Sequence, residues 1–142
     1  MMLTVILGPS GSGKTRWLIE QANNELSSGN GNIAFIDSDD SHIFSLDHAV
    51  RLINAKEYNI STINSLYGFL AGIVSRDFDL QKIYVDGIYS IIDLNTDLSE
   101  LFSSLHDLSS KHQVDILIGL DLEKEDLPKD IELEIVELSE QN

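Results

Sequence analysis

Residues 8–15 constrain the fold of this chain more than any other stretch, because they read Gly-Pro-Ser-Gly-Ser-Gly-Lys-Thr. They match every fixed position of the phosphate-binding pattern G-x-x-x-x-G-K-[ST]. An apolar run at 3–7 predicts a buried strand before them, and helically spaced apolar residues follow at 16–26. A strand, a glycine turn and a helix N-terminus direct backbone N–H groups and a positive helix dipole to one place. This order predicts a polyphosphate site.

The residue types in this loop each have a chemical reason to be there. Glycines let the backbone turn without side chains that would block the phosphates. The Lys14 ammonium group is expected to reach the β- and γ-phosphates, and the Thr15 hydroxyl to ligate Mg²⁺. The residues predicted to bind the nucleotide are Gly8, Pro9, Ser10, Gly11, Ser12, Gly13, Lys14, Thr15 and Arg16.

In this context the motif resembles the P-loop NTPase superfamily. The resemblance implies a nucleoside triphosphate as the ligand, with ATP and Mg²⁺ as cofactors and Lys14 as a catalytic residue. A cytoplasmic location is expected, since ATP and Mg²⁺ are abundant there.

Strand-like apolar runs alternate with helical patterns along the whole chain. This alternation predicts one three-layer α/β/α domain over residues 1–142, built on a mainly parallel five-stranded sheet. The last strand alternates apolar and acidic residues, as a strand with one solvated face does, and Val136 breaks the alternation, which indicates a bulge or the end of that strand. The predicted strands are 3–7, 33–36, 82–86, 114–119 and 131–135.

Three further helices are predicted between these strands. One begins after Ser61 or Thr62 as its N-cap, and another covers 98–110. The remaining helix follows the second strand, with Asp40 or Ser41 as its cap. Its predicted apolar stripe consists of Ile43, Leu46, Val50 and Ile53.

Ligands of parallel α/β sheets bind at the carboxyl ends of the strands. Polar or glycine-rich segments follow four of the predicted strands and would meet at that edge. Their common placement is a second argument for a nucleotide site. These segments are 8–15, 37–40, 86–87 and 119–121.

Asp86 ends a predicted strand and resembles the Walker B aspartate, which holds Mg²⁺ opposite the loop threonine, usually through a water. The predicted metal ligands are therefore Thr15 and Asp86. In many ATPases of the additional-strand division, which includes RecA-like and AAA+ proteins, a glutamate follows this aspartate and polarises the attacking water. Here Gly87 holds that position.

RecA-like enzymes can draw their catalytic acid from a neighbouring strand, and this resemblance makes Asp37 the first choice here. Asp39 and Asp40 are the alternatives at the end of the same strand. The competing interpretation is that these acids cap the following helix.

The loop, Asp37, Asp86 and the Ile-Gly-Leu-Asp sequence at 118–121 together resemble the thymidine-kinase branch of RecA-like folds. That branch carries zinc cysteines, which are absent here, and an Asp-Glu pair that reads Asp86-Gly87 in this chain. Thymidine kinase activity is therefore not expected. Asp121 has the wrong charge for a γ-phosphate sensor, and its role stays open. The additional-strand order, which separates the Asp86 strand from the loop strand, is favoured over the kinase–GTPase order.

The charge balance limits the partners of this chain. Nine basic and 24 acidic residues give a net charge of −15, too few cations to track a nucleic-acid backbone. Direct nucleic-acid binding by the chain alone is not expected. The acidic excess is interpreted as a solubility feature, with an acidic docking surface as the alternative. Neither a membrane span of about 20 apolar residues nor a signal peptide is expected.

The leading hypothesis is a small Mg-ATP-binding ATPase that is weak or stimulated by a partner. Arg16, Arg51 and Arg76 are the only arginines, and no arginine-rich lid is present. Arg51 and Arg76 are interpreted as solvated helix residues. A protein partner or a second copy of the chain would then supply the arginine that neutralises transition-state charge. A nucleoside or nucleotide kinase and a non-hydrolysing, nucleotide-gated interaction module are the alternatives.

Overall fold

The computed structural model describes residues 2–27, 31–39, 41, 45–47, 49–94 and 98–139. These residues form an α/β fold with three α-helices and six strands, joined by short 3₁₀ turns. In chain order the elements are β1 (Leu3–Leu7), α1 (Lys14–Ser27), β2 (Asn32–Asp37), β3 (Arg51–Asn54), α2 (Ile63–Arg76), β4 (Leu80–Val85), α3 (Leu98–His112), β5 (Asp115–Leu120) and β6 (Glu134–Glu137).

The strands form one sheet in the order β3-β2-β4-β5-β1-β6, and every pairing between them is parallel. β5 lies between β1 and β4. The strand that precedes Asp86 is therefore separated from the strand that leads into residues 8–15, which is the order favoured from the sequence. The expected count of five strands is wrong, because the described residues form a sheet of six.

The sixth strand is β3, which occupies residues assigned above to a helix. Ile53 packs into the apolar cluster of α2 and α3, whereas Leu46 and Val50 pack into the cluster of α1. The supposed helical stripe is thus divided between the two faces of the sheet. A short set of apolar residues at mixed spacing fits a helix as well as a loop followed by a strand, and tertiary packing decides between them.

The N-cap predicted for that helix is also wrong within the described residues, because no helix begins there. Ser41 lies in a turn, and no helix occurs among the described residues between β2 and β3. Asp40 and Ile43 lie outside the described residues.

The last strand begins later than its sequence pattern predicts. β6 spans Glu134–Glu137 and pairs with β1 alone, so the strand predicted from residue 131 is wrong by three residues at its start. Val136 continues the strand. Ile135 packs against the cluster of α2 and α3, and Val136 against the cluster of α1. Both faces of β6 therefore pack against apolar clusters, which explains why two consecutive residues of this strand are apolar.

Side chains of the central strands alternate between these two clusters. On β1, Val5 joins the cluster of α2 and α3, whereas Ile6 joins the cluster of α1. On β5, Ile116 and Leu117 divide in the same way. Helices on both faces explain the continuous apolar runs of these strands. No helix within the described ranges is long and apolar enough to cross a membrane.

Helix α2 begins at one of the two predicted caps, Thr62. The Thr62 hydroxyl accepts a hydrogen bond from Ser65 N at 3.0 Å, and Ser65 Oγ accepts one from Thr62 N at 2.9 Å. This reciprocal arrangement is a capping box, which satisfies two N–H groups that the helix itself cannot.

We expect Thr62→Ala to lower the free energy of unfolding by about 0.5–2 kcal/mol, because Ser65 N loses its acceptor. Urea denaturation followed by circular dichroism measures this change. Ser61→Ala is the matched control, since the Ser61 hydroxyl makes no hydrogen bond to the described residues. An equal loss in both variants would contradict the cap.

Candidate functional site

The carboxyl ends of four strands meet at one edge of the sheet, because β1, β2, β4 and β5 all run in parallel. Residues 8–15 follow β1, Asp37 ends β2, Asp86 follows β4 and Asp121 follows β5. The four segments predicted to share this edge therefore do so, apart from Asp40, which lies outside the described residues.

The loop between β1 and α1 covers residues 8–13. Gly13 has a φ of +94°, in the left-handed region that favours glycine, and its carbonyl accepts the hydrogen bond from Trp17 N at 2.9 Å. Ser12 is fully buried, and its Oγ has no hydrogen-bond partner among the described residues. An unpaired buried hydroxyl is unusual in a folded protein and marks a place where a bound group can supply the missing partner.

The Lys14 side chain is buried, and its ammonium group is fully engaged. Nζ donates to Gly8 O at 2.6 Å and to Pro9 O at 3.0 Å, and it pairs with Asp121 Oδ1 at 2.5 Å. An ammonium group has three N–H donors, so these acceptors use all of them. Asp121 is the one anion among the three, and its side chain is 32% exposed. An anionic ligand at Lys14 would have to compete with this carboxylate.

Thr15 and Asp86, the two predicted metal ligands, lie together. Thr15 Oγ1 donates a hydrogen bond to Asp86 Oδ2 at 2.6 Å, and Asp86 is only 2% exposed. Carboxylate and hydroxyl oxygens are hard ligands of the kind Mg²⁺ prefers. No group of three or more His, Asp or Glu side chains in the described part of the chain could hold a metal by itself. A Mg²⁺ ion here would need phosphate oxygens and waters to complete its coordination.

Gly87 follows Asp86, and its backbone explains why no glutamate stands there. Its φ is +72°, and a Cβ added to it would lie 2.7 Å from Ser38 Oγ and 3.0 Å from Asp37 Oδ1. Any side chain at this position would be strained and crowded. The space is taken instead by the end of β2, whose Asp37 carboxylate lies beside the end of β4.

Of Asp37 and Asp39, the two candidate acids within the described residues, Asp37 is the one that lies beside Gly87 at the end of β4. It is 3% exposed, and its Oδ1 accepts a hydrogen bond from Ser38 N at 2.7 Å. Asp39 is engaged further along the turn, where its carboxylate accepts a hydrogen bond from Ser41 N at 2.9 Å. Asp40, the third candidate, lies outside the described residues.

The edge of the sheet around Tyr89 is strongly negative. The pKa of Tyr89 is raised to about 12, chiefly because the phenol is partly buried. Three negative charges raise it further, those of Asp121, Asp86 and Asp37. Lys14 lies on the same side, with Nζ 5.9 Å from the centre of the Tyr89 ring. A polyphosphate would be repelled by these acids, so a divalent cation between them would favour its binding.

Two cavities flank the loop. One, of about 340 Å³, lies over residues 10–16 and contains Arg16, which the sequence predicted to approach the ligand. The other, of about 430 Å³, lies beside Gly8 and Pro9. Its walls combine Leu122 and Leu138 with acidic residues from the segments after β5 and at the end of β6.

Two residues at this site are not among the predicted nucleotide-binding, catalytic or metal-binding residues. Asp121 pairs with Lys14, and Tyr89 lines the cavity over the loop. The position of Asp121 after an apolar strand was a signal that it reaches the same edge. Its ion pair with Lys14 depends on the packing of β5 beside β1, which no local pattern reveals.

No protein-family model matches this chain, and no curated protein is significantly similar to it in sequence. A fold of this class supports many functions. The function must therefore be argued from the residues of the site.

Replacement of Gly87 tests the explanation of the missing glutamate. We expect Gly87→Ala to lower the free energy of unfolding by about 1–3 kcal/mol, because the new Cβ meets Ser38 and Asp37 at a positive φ. Gly68→Ala is the matched control within α2, where a Cβ meets nothing within 4 Å. It should raise stability by about 0.5–1 kcal/mol. Urea denaturation distinguishes the two, and an unchanged Gly87→Ala variant would contradict the explanation.

Proposed function

We propose that this chain binds a nucleoside triphosphate together with Mg²⁺, with ATP as the first ligand to test. In this proposal the chain is a small P-loop protein of the additional-strand type. The observation that carries the proposal is the 2.6 Å hydrogen bond between Thr15 and Asp86, at the helix end of a loop whose lysine is buried beside it. The position of β5 between β1 and β4 supports the same reading.

Lys14 binds the terminal phosphates by exchanging Asp121 for a phosphate oxygen. The two backbone carbonyls of Gly8 and Pro9 keep the ammonium group in place during this exchange, because their hydrogen bonds do not involve the ligand. Thr15 and Asp86 hold Mg²⁺, which would supply the positive charge that this acidic edge lacks. The glycine-rich backbone and the first turn of α1 provide the remaining N–H donors.

The cavity beside Gly8 and Pro9 supports a nucleotide rather than free pyrophosphate. Its volume of about 430 Å³ is within the range of small-ligand sites. Leu122 and Leu138 offer apolar contacts for the face of a base. The carboxylates of Glu123 and Glu137 are suited to accept hydrogen bonds from ribose hydroxyls or from an exocyclic amino group.

Hydrolysis is proposed to be weak in the isolated chain. Asp37, on the strand next to β4, accepts the proton of the attacking water, because Gly87 cannot provide a carboxylate. Arg16 is the one arginine that lines the described cavity over the loop. A partner or a second copy that contributes another arginine would raise the turnover.

A nucleotide-gated interaction module is the second candidate, and the pair between Lys14 and Asp121 favours it. A phosphate that replaces Asp121 releases its carboxylate from the loop. Asp121 begins the acidic segment 121–126, so its release would change the surface that this segment presents. Unchanged partner binding with and without nucleotide would count against gating.

We expect the purified chain to bind Mg-ATP, and Lys14→Ala to weaken this binding about 10- to 100-fold, because a charged hydrogen bond to phosphate is lost. Isothermal titration calorimetry measures the affinity. Lys111→Ala removes the same charge from the last turn of α3, at the opposite edge of the sheet, and should leave the affinity unchanged. A wild-type chain that binds no Mg-ATP at millimolar concentration would overturn the proposal.

We expect Asp121→Asn to tighten Mg-ATP binding about 3- to 10-fold, because the anion that competes for Lys14 is removed from a partly exposed pair. Asp130→Asn is the matched control, since it removes one negative charge from an exposed position outside the cavities of the loop. Weaker binding by Asp121→Asn would mean that this carboxylate serves the ligand rather than competing with it.

A further inference from the structure

A further cavity, of about 480 Å³, lies at the opposite edge of the sheet from the loop. It is lined by the first residues of β2 and β4, Asn32 and Leu80, so it opens at the amino ends of these strands. The C-terminal half of α2 forms another wall. None of its lining residues borders either cavity of the phosphate loop. The two regions are therefore separate sites on one sheet.

One side of this amino-edge cavity is apolar and partly open to solvent. The rings of Tyr58 and Phe69 lie 5.2 Å apart at an angle of 40°, and Tyr58 is 51% exposed. Ile53 and Ile73 extend the same wall. Exposed aromatic rings beside aliphatic groups are favourable surfaces for the apolar part of a ligand.

The cavity also contains two of the three arginines of the chain, Arg51 and Arg76. Arg51 begins β3 and Arg76 ends α2, so the prediction that both are helix residues is wrong for Arg51. Neither makes a salt bridge or a side-chain hydrogen bond within the described part of the chain. Two guanidinium groups that border one cavity can bind an anion together.

Asp77, the one acid among the described lining residues of this cavity, forms no salt bridge with either arginine. Both carboxylate oxygens of Asp77 accept hydrogen bonds from Asn32 Nδ2, at 3.2 and 3.0 Å. Asp79 N donates a further hydrogen bond to Asp77 Oδ1 at 2.9 Å. These contacts fix the carboxylate against the start of β2, so the guanidinium groups keep their N–H donors for a ligand.

We propose that the amino-edge cavity binds a small amphipathic anion. Arg51 and Arg76 hold its carboxylate or phosphate group, and an aromatic or branched aliphatic body packs on Tyr58 and Phe69. The volume suits a small metabolite. The two guanidinium groups require an acidic group, and the apolar wall excludes a bare inorganic ion as the best ligand. This cavity shares no lining residue with the cavities of the proposed nucleotide site, so each proposal can fail without the other.

The test uses the full ¹⁵N-labelled chain with two probes, phenyl phosphate and phenylbutyrate, followed by two-dimensional NMR. Both are expected to give saturable shifts at residues lining the amino-edge cavity. Inorganic phosphate lacks the apolar body and phenylbutanol lacks the charge, so each should bind at least about 10-fold more weakly. The affinities of phenyl phosphate and phenylbutyrate are then compared, and the tighter one shows whether the site prefers a phosphate or a carboxylate group. No saturable shift at millimolar probe, or shifts confined to residues 8–15, would overturn the proposal.

Arginine variants then test the anchoring groups. Arg51→Gln and Arg76→Gln should each weaken the binding of the charged probes at least about 10-fold and leave phenylbutanol binding unchanged. Lys129→Gln removes the same charge from an exposed position outside the cavity and is the control. The NMR spectrum of each variant reports whether it folds. Unchanged affinity in both folded arginine variants would refute the proposed site.

Discussion

The hydrogen bond between Thr15 and Asp86 joins two segments that are 71 residues apart in sequence. Thr15 lies in the first turn of α1 and Asp86 just beyond β4, with β5 between their strands. The bond can form only if β1, β5 and β4 keep their relative positions. Alternate burial of their side chains in two apolar clusters provides that rigidity. The chemistry of the carboxyl edge therefore depends on packing that is spread through the whole sheet.

The negative charge of the carboxyl edge is a second constraint on what can bind there. Lys14 is surrounded by two backbone carbonyls and by Asp121, while Asp86 and Asp37 end the neighbouring strands. The fold thus holds one buried cation among three carboxylates that already raise the pKa of Tyr89. Under the proposed function, a polyphosphate at this edge would need an accompanying cation and would compete with Asp121 for Lys14. In that proposal, affinity for the ligand and release of Asp121 would be two parts of one equilibrium.

The parts of this arrangement that follow from local chemistry could be predicted from the sequence. The glycine-rich loop, the apolar runs of β1, β2, β4 and β5 and the cap at Thr62 each depend on neighbouring residues. The helix assigned where β3 lies was wrong because Val50 and Ile53 serve opposite faces of the sheet, which spacing cannot show. The contact of Lys14 with Asp121 and the crowding at Gly87 depend on strand order, so they become visible only in three dimensions.

The two edges of the sheet use the scarce basic residues in different ways. At the carboxyl edge Lys14 is paired with Asp121. Lys82 is paired with Glu25 at 3.2 Å on the surface of the fold. Arg51 and Arg76 differ, because the nearby Asp77 is engaged by Asn32 and leaves them without a carboxylate among the described residues. Both border one cavity with an apolar wall, and the proposed anion site rests on this placement.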